Sequence, residues 1–294
     1  MTVSLLSTLQ PDFETRFTRI VEARRESDTD VAGQVSAILQ AVKGRGDAAL
    51  VEYTQRFDGH ALIAESDWVI PREACEAAYN DLAPDLRDAL ELAAARIRAY
   101  HEAQLPQDRD YVDAAGVRLG AIWRPVDAAG LYVPGGRAAY PSSLLMNAIP
   151  ARVAGVERLV VVTPTPKGQT NPLVLAAAHI AGIDEIWRVG GAQAVGALAY
   201  GTQRIRAVDV ITGPGNAWVA EAKRQLYGVV GIDMVAGPSE ILVIADGKND
   251  PDWIAADLLS QAEHDPTSQS ILITDDAGFA RQVEDCIDLQ ITQL

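Results

Sequence analysis

The sequence predicts an α/β protein with mostly parallel sheets and a helical N-terminal region. Its 294 residues are 48% hydrophobic, which is enough for one large core and leaves room for a second. The first hundred residues carry apolar side chains at helical spacing. From about residue 120, short apolar runs that end in glycine alternate with helical segments, a pattern typical of parallel strands joined by helices.

Two amphipathic helices are predicted in the N-terminal region, within residues 29–46 and 84–106. Thr29 or Asp30 is the expected N-terminal cap of the first helix, and Gly44 is its expected stop. The apolar stripes consist of Val31, Val35, Ile38, Leu39 and Val42 in the first helix and of Leu86, Leu90, Ala93 and Ile97 in the second. Stripes of this kind indicate core packing rather than a cofactor site.

Six apolar runs are predicted to be the strands of the sheets. Each run is rich in Val or Ile and is followed by a Gly or Pro turn, so burial on both faces is expected. In chain order the runs are GLYVPGG, RLVVVTPTP, EIWRVGG, DVITGPG, EILVIADG and SILITDD. Ligands of parallel sheets bind beyond the carboxyl ends of the strands, which is where these turns lie.

Composition excludes several classes of partner. The chain carries 25 Lys and Arg against 40 Asp and Glu, and its formal charge of -15 disfavours binding to nucleic acid and to anionic membranes. The two cysteines, Cys75 and Cys286, lie far apart, so neither a disulfide framework nor a thiolate metal site is indicated. No apolar run reaches the roughly 18 residues of a membrane helix, and no signal peptide is recognisable, so we expect a soluble, cytoplasmic protein.

Polar side chains accompany three of the glycine turns at the strand ends. Tyr132 precedes the turn at Gly135, Gln193 follows the turn at Gly191, and Asn216 follows the segment Gly213-Pro214-Gly215. Considered singly, each of these three residues is explained by a tight turn and a capped helix, and a helix cap is enough to explain Asn216. Taken together, open backbone N–H groups at successive strand ends favour an anionic ligand. No G-x-G-x-x-G motif opens a helix, so the spacing by itself does not identify a nucleotide site.

The segment LLSQAEHDP, residues 258–266, raises the question of a metal site. On a helix, Gln261 and His264 share one face, and an amide oxygen and a neutral imidazole can both bind a divalent metal. The alternative is that Gln261 is an ordinary polar surface residue, and that the helix dipole stabilises the cationic form of His264 near the end of the helix. Ser239 precedes a strand in MVAGPSEILVIADG, and a turn serine without a His-Asp arrangement is not indicated as a nucleophile.

Five segments in this order resemble the histidinol dehydrogenase family: GLYVPGGRAAYPSSLLMNAIPARVAG, VGGAQAVGALAYGT, GPGNAWVAEAKRQ, IDMVAGPSEILVIAD and DLLSQAEHDPTSQSILIT. The resemblance extends from about Phe13 to the last residue. It implies oxidation of L-histidinol to L-histidine through L-histidinal, with NAD and one zinc ion per site. It implies Tyr132, Gln193 and Asn216 as NAD-binding residues, Gln261 and His264 as zinc ligands, and Ser239, Gln261 and His264 as substrate contacts.

The same resemblance implies two incomplete Rossmann-like α/β units, one inserted into the other. The implied division is an N-terminal helical extension of residues 1–24, a first domain of residues 25–129 and 240–294, and an NAD-binding domain of residues 130–239. A homodimer is also implied.

The family's other zinc ligands, its Glu-His acid/base pair and a further substrate-binding Glu are implied to lie beyond Leu294. No catalytic residue is therefore assigned, and the 294-residue chain is expected to be inactive by itself. Two alternatives stay open: a family member that oxidises another small alcohol, and a truncated homologue that binds without catalysis. Product analysis with several alcohols separates the first alternative from histidinol oxidation.

Overall fold

The computed structural model describes residues 3–135, 140–235, 237, 239–262 and 268–292, with only the backbone described for residues 22–30. The chain divides into two compact units. The large unit is Thr29–Ala236, and the small unit combines Met1–Asp28 with Gly237–Leu294. No helix in the described part is both long enough and apolar enough to cross a membrane.

The N-terminal region is helical, as predicted. Its helices are α1 (Phe13–Arg45), α2 (Asp47–Asp58), α3 (Glu65–Trp68), α4 (Arg72–Asn80) and α5 (Pro84–Glu102). The predicted cap at Thr29 or Asp30 is wrong, because α1 continues through both residues from Phe13 without a proline to stop it. The first predicted stripe is confirmed, since Val35 and Val42 are fully buried, whereas Leu86 of the second stripe is half exposed.

A five-stranded parallel sheet forms the centre of the large unit. Its strands are β3 (Ala128–Tyr132), β4 (Arg158–Val162), β5 (Glu185–Trp187), β6 (Val210–Thr212) and β7 (Gly231–Ile232), in the spatial order β5-β4-β3-β6-β7. The connecting helices are α6 (Pro141–Ala154), α7 (Pro172–Ile180), α8 (Gly191–Tyr200) and α9 (Ala217–Leu226). The predicted α/β class with mostly parallel sheets is confirmed.

Two hydrophobic cores lie on opposite faces of this sheet, because successive side chains of a strand point to opposite faces. Along β4, Val160 and Val162 pack into the first core with residues of α1, α2, α8 and α9. Leu159 and Val161 pack into the second core with residues of α4, α5, α6 and α7. All five residues of β3 are buried, as expected for the middle strand of a covered parallel sheet.

The large unit also contains an antiparallel hairpin, β1 (Arg109–Val112) and β2 (Arg118–Ala121), whose residues are all exposed. The apolar pattern did not predict this hairpin. Neither of its strands contributes a side chain to the two cores.

The small unit contains a parallel pair of strands, β8 (Glu240–Ile244) and β9 (Gln269–Ile273), with helices α10 (Pro251–Ala262) and α11 (Ala277–Ile291). Burial on both faces was predicted for these strands, and this is wrong for the described residues. Alternate side chains such as Leu242 and Ile244 are exposed, while Ile241 and Val243 pack against the core formed with α10 and α11.

The division of the chain into domains stays a prediction. The implied first domain grouped residues 25–129 with residues 240–294. In the structure, residues 29–129 belong to the same compact unit as residues 130–236.

Candidate functional site

The connections of the five-stranded sheet reverse direction between β3 and β6. From β3 the chain proceeds outward to β4 and β5, and then returns to the other side of β3 to form β6 and β7. In open α/β sheets a crevice forms beyond the carboxyl ends of the two strands at such a reversal, and ligands bind there. By this rule the candidate crevice of this sheet is the region beyond the carboxyl ends of β3 and β6, next to Tyr132 and Gly213.

The turn after β6 approaches the end of β3 so closely that only glycine fits at position 213. A Cβ atom on Gly213 would lie 2.1 Å from the carbonyl oxygen of Tyr132, and the φ angle of Gly213 is 116°. The two strand ends therefore lie in direct backbone contact.

Tyr132 connects the end of β3 to the first turn of α8. Its hydroxyl accepts a hydrogen bond from the backbone N–H of Gly191 at 3.0 Å, and only 4% of the residue is exposed. Burial, together with the negative charge of Asp58, raises the pKa of Tyr132 to about 12, although the Gly191 hydrogen bond acts in the opposite direction. The ring is consequently a neutral phenol at physiological pH.

Gln193 lies in the first turn of α8 and is 1% exposed. Its Oε1 atom is buried and has no hydrogen-bond partner among the described residues. An unsatisfied buried amide is costly in a folded protein and calls for an explanation such as a ligand or an ordered water. Gln193, a predicted site residue, thus has a hydrogen-bond acceptor without a partner among the described residues. It lies next to the turn at Gly191, to which Tyr132 is hydrogen-bonded.

Asn216 caps the N-terminus of α9. Its Oδ1 atom accepts hydrogen bonds from the backbone N–H groups of Trp218 at 3.1 Å and Val219 at 3.2 Å. The predicted cap is confirmed. The residue is exposed and directly follows the turn at Gly213, next to the candidate crevice.

Sequence reasoning missed an ion pair beneath this turn. Lys223 of α9 is 3% exposed and pairs with Asp233, which follows β7. The sequence signal for a buried lysine was the spacing of Lys223, because Val219, Lys223 and Leu226 occupy i, i+4 and i+7 positions on the buried face of α9. A lysine within an apolar stripe indicates a buried partner, but the sequence did not reveal which acidic residue it was.

The residues predicted to bind substrate and metal belong to the small unit. Ser239 is exposed, and its carbonyl oxygen accepts a hydrogen bond from Gln269 N at 3.1 Å. Gln261 is half-buried near the end of α10, and its Nε2 atom is buried without a partner among the described residues. His264 lies outside the described residues, so the predicted pair of Gln261 and His264 stays a prediction.

No cluster of three or more His, Cys, Asp or Glu side chains within the described ranges could hold a metal ion. A single glutamine does not make a metal site. Of the two predicted zinc ligands, Gln261 lies within the described ranges and His264 does not.

The sheet order and the polar side chains at the strand ends define a Rossmann-like α/β protein, with a candidate nucleotide position at the sheet reversal. A family model described as histidinol dehydrogenase matches residues 21–294. The chain belongs to the histidinol dehydrogenase family.

Curated relatives and a solved structure agree with this assignment. The chain is 60% identical to histidinol dehydrogenase of Zymomonas mobilis, over 98% of this chain and 67% of the relative. It is 62% identical to that of Ruegeria pomeroyi, over 98% of this chain and 66% of the relative. The crystal structure of histidinol dehydrogenase from Elizabethkingia anophelis superposes with a TM-score of 0.77 at 38% identity, covering 89% of this chain and 60% of that one. The chain thus spans about two thirds of the length of the curated relatives.

Proposed function

We propose that the protein is an NAD-dependent oxidoreductase of histidine biosynthesis, of the type that converts L-histidinol to L-histidine through L-histidinal, and that the 294-residue chain by itself is inactive. The observation that carries the proposal is the sheet reversal between β3 and β6 in a histidinol dehydrogenase family member, with Tyr132, Gln193 and Asn216 at or just after the ends of its strands. Dinucleotides bind at this position in sheets of the same order.

The three side chains suit different parts of such a cofactor. The unused Oε1 atom of Gln193 can accept a hydrogen bond from a hydroxyl or amino group of the bound nucleotide. Tyr132 stays neutral, so it offers an apolar ring without adding a negative charge next to the pyrophosphate. The Asn216 side chain at the start of α9 lies where the helix dipole favours an anion.

The chemistry requires two successive oxidations. In each one the carbon that bears oxygen gives a hydride to NAD, forming NADH, and the oxygen gives up a proton. The aldehyde must gain a water molecule between the two steps, which requires a general base near the carbon. Holding the carbon next to the nicotinamide contributes much of the acceleration, because it removes the entropy cost of bringing the reactants together.

Zinc and substrate binding are part of the same proposal. Gln261 and His264 would contribute two zinc ligands, and Ser239 would contact the substrate with them. A zinc ion bound there would hold the imidazole and amine of histidinol in place. The buried, unpartnered amide of Gln261 supports this role, because a half-turn of the amide exchanges Nε2 for the oxygen that binds metals.

The test combines binding and product analysis. Calorimetry should detect binding of NAD and of L-histidinol to the purified 294-residue chain. Two NADH for each L-histidine should form only when an acid/base pair is also supplied, because this chain by itself is expected to be inactive. Gln261→Ala should lower the bound zinc measured by atomic absorption, whereas Gln290→Ala on α11 should not. A purified protein that binds neither NAD nor L-histidinol would contradict the proposal. The homodimer and the cytoplasmic location stay predictions, and light scattering tests the former.

A further inference from the structure

The ion pair between the buried Lys223 and the partly exposed Asp233 holds both polar backbone groups of a single glycine. Lys223 Nζ donates a hydrogen bond to the carbonyl oxygen of Gly213 at 3.0 Å. Asp233 Oδ2 accepts one from the N–H of Gly213 at 2.9 Å, and its Oδ1 atom contacts Lys223 Nζ. Asp233 Oδ1 also accepts from the N–H of Met234 at 2.7 Å. The two charged side chains and Gly213 therefore form one closed network.

This network fixes the direction in which the chain leaves β6. Gly213 has a φ angle of 116° and lies against the backbone of Tyr132, so few orientations of its peptide groups are possible. Holding its N–H and its carbonyl oxygen at the same time selects one of them. That orientation determines where the following residues, up to Asn216, are directed, and Asn216 begins α9.

Stability alone does not account for a lysine at this position. Removing the ammonium of Lys223 from water costs free energy that its attraction to Asp233, whose side chain is 32% exposed, only partly offsets, and a well-packed apolar residue of similar size is often as stabilising or more so. An apolar pair, however, could not bind the N–H and the carbonyl oxygen of Gly213. The ion pair does what hydrophobic packing at this place cannot do.

We propose that the Lys223–Asp233 ion pair is a positioning device, which fixes the turn Gly213–Asn216 in the orientation that binds NAD. This inference rests on the proposed function, since it assumes that the crevice takes NAD. Lys223 does not contact the cofactor in this proposal. Its charge is compensated by Asp233 and it is 3% exposed, so it acts through Gly213.

The experiment compares NAD affinity with thermal stability in four proteins. Lys223→Met removes the donor to Gly213 and leaves the Asp233 carboxylate without its partner, so both affinity and melting temperature should fall, the affinity by about tenfold. The double variant Lys223→Met/Asp233→Asn leaves no uncompensated charge. It should regain most of the melting temperature, while its affinity stays about tenfold below that of the unchanged protein because the carbonyl of Gly213 still lacks its donor.

Ile183→Ala is the matched control. Ile183 is buried in the second core, on the other side of the sheet from α9, so its truncation should lower the melting temperature and leave NAD affinity within about twofold. Affinity should also depend on salt to the same extent in the unchanged protein and in the double variant, because a lysine that acts through Gly213 makes no phosphate contact.

Each possible result either supports or contradicts a positioning role of the Lys223–Asp233 pair. If the affinity of the double variant recovers together with its melting temperature, or if Lys223→Met binds NAD as the unchanged protein does, the pair only stabilises the fold and the inference is wrong. If Lys223→Met does not fold, NAD affinity can still be compared with melting temperature in the double variant and in Ile183→Ala. If the unchanged protein itself binds no NAD, the proposed function fails first and the inference fails with it.

Discussion

At the scale of single residues, the first turn of α8 contains a buried polar atom that the described residues leave without a hydrogen bond. Gln193 is almost fully buried in the first turn of α8, yet its Oε1 atom has no partner among the described residues. Such an atom lowers stability unless something outside the chain satisfies it. Stability and binding should therefore change in opposite directions when this side chain becomes apolar.

We expect Gln193→Met to raise the free energy of unfolding by about 1 kcal/mol and to weaken NAD binding. Methionine has a similar length and removes the unsatisfied acceptor without leaving a large cavity. Urea denaturation and calorimetry with NAD measure the two effects.

Gln225→Met is the control for this substitution. The Gln225 amide donates to the carbonyl oxygen of Ala32 at 2.9 Å, so the same exchange breaks a satisfied contact and should lower stability. A destabilised Gln193→Met protein would mean that the Oε1 atom has a partner in the native protein even without a ligand.

Asp58, at the end of α2, should reduce stability at neutral pH. Burial raises the pKa of this carboxyl above its ordinary value of 3.8, so the folded state holds the proton more tightly than the unfolded state does. Stability is then lost as the pH rises through the raised pKa. Asp58→Asn should be more stable than the unchanged protein at pH 7, and the difference should disappear below about pH 3.8. Thermal unfolding across this pH range measures it.

Replacing Asp67 should change the stability at pH 7 in the opposite direction in the same experiment. The backbone N–H groups of Ala64 and Ile63 donate to its carboxylate and hold its pKa below the ordinary value. Its contribution is present at neutral pH and is lost as the pH falls through the lowered pKa. Asp67→Asn should accordingly be the less stable protein at pH 7. The same sign for both variants would contradict the burial argument for Asp58.

The residues of the candidate site were predictable to different degrees. Tyr132, Gln193 and Asn216 could be selected because a polar side chain next to a glycine turn at a strand end is visible in the sequence. The pairing of Lys223 with Asp233 was not, because the two residues lie in different elements, and only the fold brings them together. The buried, unpartnered state of Gln193 likewise depends on the packing of the whole unit around α8.

At the scale of elements, two helices of the large unit have the same kind of N-terminal cap. Asn216 begins α9, and Asn171 begins α7, where its side chain accepts a hydrogen bond from Leu173 N at 2.9 Å. Both side chains are exposed. This pair allows the structural role of a cap to be separated from a role in binding.

Asn216→Ala and Asn171→Ala should each lower the free energy of unfolding by about 1 kcal/mol, the usual cost of losing a cap. Of the two variants, only Asn216→Ala should weaken NAD binding, since Asn216 follows β6 at the sheet reversal where the cofactor is proposed to bind and Asn171 does not. Chemical denaturation and calorimetry measure the two quantities. Equal loss of affinity in both variants would show that affinity follows stability, and Asn216 would then be only a cap.

Elements with a strong local pattern were predictable, and elements defined by their surroundings were not. Val- and Ile-rich runs bounded by glycine identified β3 to β6, because parallel strands must be apolar on both faces. The hairpin of β1 and β2 has no apolar face for a pattern to detect. The same apolar composition led to the expectation that β8 and β9 are buried, although the described helices cover only one of their faces.

At the scale of the whole molecule, the two units differ in how their strands are protected. In the large unit, β3 lies in the middle of five strands and between two cores, so water reaches its backbone only if the sheet opens. In the small unit, β8 pairs with β9 alone among the described residues, and Ile244 is 76% exposed. Local opening should consequently require less free energy in the small unit.

Hydrogen exchange followed by mass spectrometry should detect this difference. Amides of β3 and β4 should exchange slowest, at rates set by global unfolding, because their strands have a neighbour on each side and packed side chains on each face. Amides of β8 and β9 should exchange about tenfold faster or more, since opening one pair of strands exposes them all. NAD should slow exchange further in peptides that contain the turn at Gly213, but not in those that contain β8, because the proposed cofactor crevice belongs to the large unit. Equally slow exchange in β8 and β3 would mean that the exposed face of β8 is covered in solution.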